Sequence, residues 1–162
     1  MKQTKTLYLT RAAVIAALYV ALTYIASLFG LSSGVIQLRL SEALTVLPVF
    51  TSAAIPGLYI GCLLANLLTA AAPYDVLFGS LATLIGAIGT YLLRRAPRVV
   101  ATIPPIIANT VIVPFILMWV YQVPDALWFL FLTVFIGEAL SAGVLGVLVY
   151  SVVNKNKKAL GL

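Results

Sequence analysis

The sequence predicts an all-α membrane protein, a single domain over residues 1–162 that crosses the bilayer six times with both termini in the cytoplasm. Three observations lead to this prediction. Hydrophobic residues make up 63% of the chain and charged residues 9%, and the mean hydropathy is +1.14, which is the composition of a polytopic membrane protein. Apolar runs of helical length follow one another along the chain. The basic residues are gathered into three clusters between or beside these runs.

Six apolar runs mark the predicted membrane helices. They are Leu7–Phe29, Leu38–Phe50, Ala53–Ala71, Val76–Leu93, Val99–Tyr121 and Ala126–Val153. A crossing helix needs about 20 apolar residues to span about 30 Å of hydrocarbon, so the second run is too short unless it extends back through Gln37. The stretch from Ile36 to Ala71 is therefore either one long span or a tight hairpin that turns at Thr51-Ser52.

The positions of the basic residues favour the hairpin. The clusters are Lys2/Lys5/Arg11, Arg94/Arg95/Arg98 and Lys155/Lys157/Lys158, and we expect all of them to face the cytoplasm. The first two clusters lie on the same side only if an even number of crossings separates them. The hairpin gives four crossings and the single span gives three, so six helices are predicted. This topology puts three segments outside: Gly30–Val35, Ala72–Asp75 and Gln122–Asp125.

Several classes of function are excluded by residues that the chain lacks. With one Cys and no His, we expect no disulfide, no zinc site and no histidine acid–base chemistry, and we interpret Cys62 as an apolar packing residue. There is no glycine-rich phosphate loop and no nucleophilic constellation, so we expect no enzyme activity and no cofactor. The net charge of +6 is explained by topology, and no nucleic-acid partner is expected.

The four acidic residues divide into two pairs. Asp75 and Asp125 each follow a proline at the predicted start of a helix, so both are interpreted as N-caps. Glu42 and Glu138 lie within apolar runs, where an ionised carboxylate costs about 2.5–3.5 kcal/mol, and they require a partner, water or a ligand. Such residues are candidates for a functional site.

Each of these two carboxylates has two possible explanations. Arg39 lies three residues before Glu42, so the two side chains share a helical face and either neutralise each other or line an outward-accessible cavity. Glu138 lies near the middle of the membrane and either pairs with Asn109 or Asn66 or faces a ligand. A carboxylate and an amide at matching depth are suited to reading the edge of a nucleobase-like heterocycle.

Small residues form stripes that allow helices to approach closely in lipid. On the first helix they are Ala13, Ala17 and Ala21, with a further stripe of Gly57, Gly61 and Ala65 on the third. Internal packing is the general explanation, and an external partner is the alternative for the first helix.

One long stretch resembles the signature region of a known family. It reads Ile36-Gln37-Leu38-Arg39-Leu40-Ser41-Glu42-Ala43-Leu44-Thr45-Val46-Leu47-Pro48 and continues through Ala54-Ile55-Pro56-Gly57-Leu58-Tyr59-Ile60-Gly61-Cys62-Leu63-Leu64-Ala65-Asn66. This stretch is similar to the queuosine-precursor transporter family (QueT), whose members are substrate-binding S components of energy-coupling factor (ECF) transporters. The later helices match by pattern more than by motif.

The resemblance implies a function, partners and a location. It implies capture of a deazaguanine, such as prequeuosine base or queuine, from outside a bacterial plasma membrane. A transmembrane coupling protein and two cytoplasmic ATPases would complete the importer, with the alanine stripe of the first helix as the docking surface. The loop at about Gly30–Gln37 would close over the substrate, which we expect to contact Glu138, Asn109, Glu42, Arg39 and Asn66.

Two alternatives remain open at this point. The chain could be an S component for another vitamin-like substrate, although a nickel or cobalt carrier would be expected to use histidine. It could also be a ligand-free structural subunit of the membrane, in which the polar residues form internal clasps.

Overall fold

The computed structural model describes residues 4–31 and 37–161, and every regular element within them is helical. In chain order these elements are α1 (Lys5–Leu28), a 3-10 helix (Leu40–Val49), α2 (Ala54–Leu68), α3 (Pro73–Leu92), α4 (Arg98–Ala101), α5 (Ile103–Trp119), α6 (Leu127–Glu138), a π-helical segment (Ala139–Leu145) and α7 (Gly146–Asn156).

Four stretches of the described chain are long and apolar enough to cross a membrane. They are Lys5–Leu28, Pro73–Leu92, Arg98–Trp119 and Leu127–Asn156. The 3-10 helix and α2 are apolar but shorter. The prediction of an all-helical membrane protein is thus confirmed in its general form, whereas six crossings and cytoplasmic termini stay predictions.

The 3-10 helix and α2 form the hairpin that the charge argument favours. At one end of the 3-10 helix, Thr23 Oγ1 donates a hydrogen bond to Ser41 Oγ at 2.9 Å. At the other end, Tyr8 Oη donates to the main-chain oxygen of Ser52 at 3.4 Å. These contacts are 15 residues apart on α1, or about 22 Å at 1.5 Å per residue. The 3-10 helix therefore runs antiparallel to α1 across most of its length.

Helix α2 runs alongside α1 in the same direction, and two glycines allow the close approach. A Cβ on Gly57 would lie 2.7 Å from the main-chain oxygen of Ala12. One on Gly61 would lie 2.8 Å from Tyr19 Cβ and 3.0 Å from Ala16 Cα. Internal packing therefore explains the small-residue stripe of α2, as expected for small residues between membrane helices.

The 3-10 helix occupies the centre of the bundle. Seven of its ten residues are buried, including Glu42 and Pro48. It lies against α1 and α3, and the last apolar helix covers it too, since Gly146 of α7 packs near Ala43 and Val46. A short helix surrounded in this way has its position set by its neighbours rather than by its own helical propensity.

The two ends of the bundle differ in charge. At one end, which we call the basic end, Arg11 Nη2 donates hydrogen bonds to the main-chain oxygens of Leu160 and Gly161 at 3.3 and 2.8 Å. There too, Arg98 Nη1 donates to Ser151 Oγ at 3.2 Å. Both ends of the described chain and the basic residues of three clusters therefore meet at the basic end.

Candidate functional site

A cavity of about 480 Å³ lies toward the end of the bundle opposite the basic end. Helix α1, the segment before the 3-10 helix, the α2–α3 connection and the end of α5 contribute to its wall. The polar residues of the wall are Tyr19, Thr23, Ser27, Gln37, Arg39, Ser41, Asn66, Thr69, Asp75 and Tyr121. Such a concave, partly polar space within a membrane bundle is the expected form of a small-molecule site.

Arg39 lines this cavity but does not form the clasp with Glu42. Its main-chain N–H donates to Ser141 Oγ of the π-helical segment at 3.1 Å. Within the described chain, its guanidinium group makes no hydrogen bond and no ion pair within 4.0 Å. The acidic residues that act on its charge are Asp75, Glu138 and Glu42. The cation therefore lies among three carboxylates without being paired to one of them.

Glu42 is held by uncharged donors. Its side chain is fully buried, and Tyr19 Oη donates to Oε1. Thr83 Oγ1 donates to the same oxygen at 3.5 Å, and Asn109 Nδ2 donates to Oε2 at 3.5 Å. Since hydrogen bonds rather than an ion pair satisfy this carboxylate, its position in the apolar centre is accounted for structurally.

Glu138 and Asn109 are both buried next to Glu42, and each keeps one unsatisfied oxygen. Asn109 Nδ2 also donates to the main-chain oxygen of Pro105 at 3.2 Å. Glu138 Oε2 and Asn109 Oδ1 are buried without a hydrogen-bond partner among the described residues. Neither side chain belongs to the cavity wall. Tyr19 and Arg39, which do line it, interact with this buried group.

Asn66 lies on the cavity wall, apart from Glu138. Its Nδ2 donates to the main-chain oxygen of Asp75 at 3.5 Å and contacts Cys62 Sγ at 3.7 Å. Asn66 therefore joins α2 to the start of α3 rather than pairing with Glu138. Cys62 is 1% exposed, in agreement with its interpretation as a packing residue.

The interpretation of Asp75 and Asp125 as N-caps is wrong. Helix α3 begins at Pro73 with Ala72 as its N-cap residue, and no side chain caps it. Asp75 therefore lies inside the first turn, and proline is well tolerated at the first helical position that Pro73 occupies. Helix α6 begins at Leu127, two residues after Asp125, which is exposed.

Asp75 is instead a buried carboxylate of the cavity wall, and sequence reasoning did not identify it as a site residue. Tyr121 Oη donates to its Oδ2 at 2.9 Å and accepts a hydrogen bond from the Ala72 N–H at 3.1 Å. Partial burial, together with the charge of Asp75, raises the pKa of the Tyr121 phenol, so the group stays protonated and able to donate. Asp75 Oδ1 has no partner among the described residues.

The predicted loop over the substrate falls partly outside the described residues, since 32–36 are not among them. The described residues on either side of this gap are joined by a hydrogen bond: the Leu38 N–H donates to the main-chain oxygen of Leu31 at 2.9 Å. The main-chain oxygen of Gln37 lies too close to Gly137 for a Cβ to fit at that position. Gly137 therefore allows this segment to pass close against α6 at the cavity.

The alanines of α1 divide between two faces. Ala12 and Ala16 are buried against α2, whereas Ala13, Ala17 and Ala21 are exposed on another side of the helix. Leu18, 48% exposed, shares that outer face. The stripe singled out in the sequence therefore makes no internal helix contact of the kind seen for Gly57 and Gly61.

Comparisons with known proteins agree on one family. Residues 9–155 match the family model described as QueT transporter. A stretch of 85 residues is 40% identical to the queuosine precursor transporter QueT of Lactococcus lactis subsp. cremoris (strain MG1363); it spans 52% of this chain and about half, 50%, of that relative's length. No solved structure matches the chain.

Proposed function

Since the chain belongs to the QueT transporter family, we propose that it is the substrate-binding S component of an ECF-type importer and that it captures a queuosine precursor from outside. The observation that carries the proposal is the polar cavity at the end of the bundle opposite the basic end. By the positive-inside rule the basic end faces the cytoplasm, so the cavity would open toward the outside.

The polar groups around the cavity suit a deazaguanine base. Such a base offers ring and exocyclic N–H donors and a carbonyl acceptor. Arg39 and Asn66 supply donors at the wall, and a carboxylate can accept neighbouring N–H groups. The volume of about 480 Å³ lies within the usual range for small-molecule sites.

The buried group behind the wall is the second part of the proposed site. Glu138 and Asn109 retain unsatisfied acceptor oxygens in an apolar interior, which is costly unless a ligand or a water molecule meets them. We propose that they receive the base. Glu42, already bonded to Tyr19, would hold this arrangement in place.

The partners follow from the same proposal. The exposed stripe of Ala13, Ala17 and Ala21 would dock the transmembrane coupling protein, because small side chains let two helices approach closely in lipid. Two cytoplasmic ATPases would supply the energy, and this chain would bind substrate without catalysing a reaction. The location would be a bacterial plasma membrane, crossed six times with both termini in the cytoplasm.

A binding experiment on the purified protein tests the proposal. The protein in detergent would be titrated with prequeuosine base, with queuine, and with guanine and riboflavin as controls. We expect saturable one-to-one binding of a deazaguanine and much weaker binding of both controls, measured by isothermal titration calorimetry.

Each other result has a defined meaning. Preference for riboflavin or another vitamin would overturn the substrate and leave an S component of different specificity. If no small molecule binds or co-purifies, the S-component proposal is wrong, and the polar residues are internal clasps of a structural subunit.

A further inference from the structure

We propose that Asp75 selects substrates that carry a positively charged amine, by accepting a hydrogen bond from the ammonium group through Oδ1. This inference rests on the proposed function and deepens it, because it distinguishes aminomethyl deazaguanines from uncharged ones. Asp75 is a specificity-determining residue in this scheme.

The Asp75 side chain is buried at the cavity wall and keeps one unpartnered oxygen among the described residues. Asp75 is 7% exposed and lines the cavity. Its Oδ1 is buried without a hydrogen-bond partner among the described residues. A buried charged oxygen of this kind is costly unless something meets it, so it is unlike a solvated surface aspartate. Gly79 lies one turn further along α3. A Cβ at this position would lie 2.8 Å from Oδ1, so the glycine leaves room for this oxygen.

One of the two carboxylate oxygens of Asp75 is already occupied. Reading two neighbouring N–H groups of a base side by side requires both oxygens of a carboxylate. Asp75 Oδ2 already accepts from Tyr121 at 2.9 Å, which fixes the carboxylate and leaves a single free oxygen. That geometry suits a compact donor such as an ammonium group, whose charge strengthens the hydrogen bond.

The described cavity wall carries one charged side chain of each sign. Among the described residues of the wall, Asp75 is the one acidic side chain and Arg39 the one basic side chain. They act on each other electrostatically without an ion pair within 4.0 Å. In an aminomethyl deazaguanine the ammonium and the ring carbonyl lie on the same edge. A ligand of this class can therefore offer the amine to Asp75 and the carbonyl oxygen to Arg39.

The test compares two ligands that share the deazaguanine core. One is prequeuosine base, with its charged aminomethyl group, and the other is the 7-cyano analogue, which is uncharged at that position. We expect the unaltered protein to bind the amine at least about tenfold more tightly than the nitrile. In Asp75→Asn we expect affinity for the amine to fall about 10- to 100-fold, with less than a threefold change for the nitrile.

Two further variants control the experiment. Asp125→Asn makes the same change at an exposed aspartate outside the cavity wall, so both affinities should stay unchanged. Tyr121→Phe removes the hydrogen bond to Oδ2 and keeps the charge of Asp75, so the preference for the amine should persist.

The outcomes separate the inference from the proposed function. Equal losses for both ligands in Asp75→Asn, or no loss for either, would overturn the inference alone. Should Asp75→Asn not fold, the unaltered protein decides: equal affinities for amine and nitrile overturn the selection of charge. Binding of neither ligand by the unaltered protein would instead overturn the proposed function itself.

Discussion

At the scale of single residues, Glu42 and Glu138 differ in the atoms that surround them. Both side chains are buried, at 0% and 5% exposure. Glu42 accepts hydrogen bonds from three side chains, including Tyr19 and Asn109. Glu138 Oε2 has no partner among the described residues. Replacement of the carboxyl group should therefore affect folding at Glu42 and substrate binding at Glu138.

Glu138→Gln should abolish tight substrate binding while the protein still inserts and purifies. Loss of a partner for a buried hydrogen-bonding group costs about 1–3 kcal/mol, so we expect affinity for prequeuosine base to fall about 10- to 100-fold. The measurement is calorimetric titration, together with the thermal midpoint of unfolding in detergent, which should change little. Unchanged affinity in this variant would show that Glu138 does not contribute to substrate binding.

Glu42→Gln is the matched change at the satisfied carboxylate. The amide nitrogen of the new glutamine cannot accept the hydrogen bonds that a carboxylate oxygen accepts. The free energy of unfolding should therefore fall by about 1–3 kcal/mol. The thermal midpoint of unfolding should fall below that of Glu138→Gln. A midpoint equal to that of the unaltered protein would show that these hydrogen bonds do not stabilise the fold.

The sequence identified the unusual carboxylates within the apolar runs but assigned Asp75 to the wrong role. Its position after Pro73-Tyr74 predicts an N-cap, because aspartate is common at the N-cap of a helix. The usable signal was Pro73, since proline favours the first helical position and so places Asp75 within the first turn of the helix. The bond from Tyr121 joins segments 46 residues apart, and no local pattern reveals it.

At the scale of elements, the hairpin was predictable and its helical form was not. The turn at Thr51-Ser52 followed from counting charges, and the structure has the chain turning there. The 3-10 form of Leu40–Val49 and the π-helical form of Ala139–Leu145 depend on shifts in main-chain hydrogen bonding that packing imposes. Hydropathy measures only how apolar a stretch of sequence is, so it does not distinguish a 3-10 helix or a π-helix from an α-helix.

One face of helix α1 packs against α2 and another is exposed. The variant Gly61→Ala tests the packed face. The added Cβ would lie 2.8 Å from Tyr19 Cβ and 3.0 Å from the main-chain oxygen of Ala16. Relief requires α1 and α2 to move apart, and overpacking of this kind typically costs about 1–3 kcal/mol. We expect a lower thermal midpoint of unfolding in detergent.

Ala17→Leu is the control on the outer face. Ala17 is exposed, so the larger side chain should leave the thermal midpoint and substrate affinity unchanged. Uptake of substrate by cells that contain the coupling protein and ATPases should nevertheless be strongly reduced, because a leucine keeps a docking helix at a distance. Uptake at the unaltered rate would argue against this stripe as the docking surface.

At the scale of the whole molecule, the basic residues predict which end faces the cytoplasm. Cysteines introduced at Asp125, Arg95 and Lys157 would be tested in intact cells with a membrane-impermeant maleimide. We expect Asp125→Cys to react from outside, and Arg95→Cys and Lys157→Cys to react only after the membrane is permeabilised.

The native cysteine is a suitable internal control, since Cys62 is 1% exposed and should stay unlabelled throughout. Labelling of Arg95→Cys and Lys157→Cys on opposite sides of the membrane would contradict the six-crossing topology. The structure supports the even count in one respect: Arg11 and Gly161, near the two ends of the chain, are joined by a hydrogen bond of 2.8 Å.

The central position of the 3-10 helix also has a consequence for biosynthesis. This segment leaves the ribosome second among the helices, yet the N–H of Arg39 is bonded to Ser141 and the ring of Phe50 packs against Tyr150 at a tilt. Those partners are synthesised about a hundred residues later, since Arg39 and Ser141 are 102 residues apart in the sequence. Until translation is nearly complete, Glu42 and its neighbours lack one side of their enclosure. Packing at the centre of the bundle is therefore completed last during synthesis.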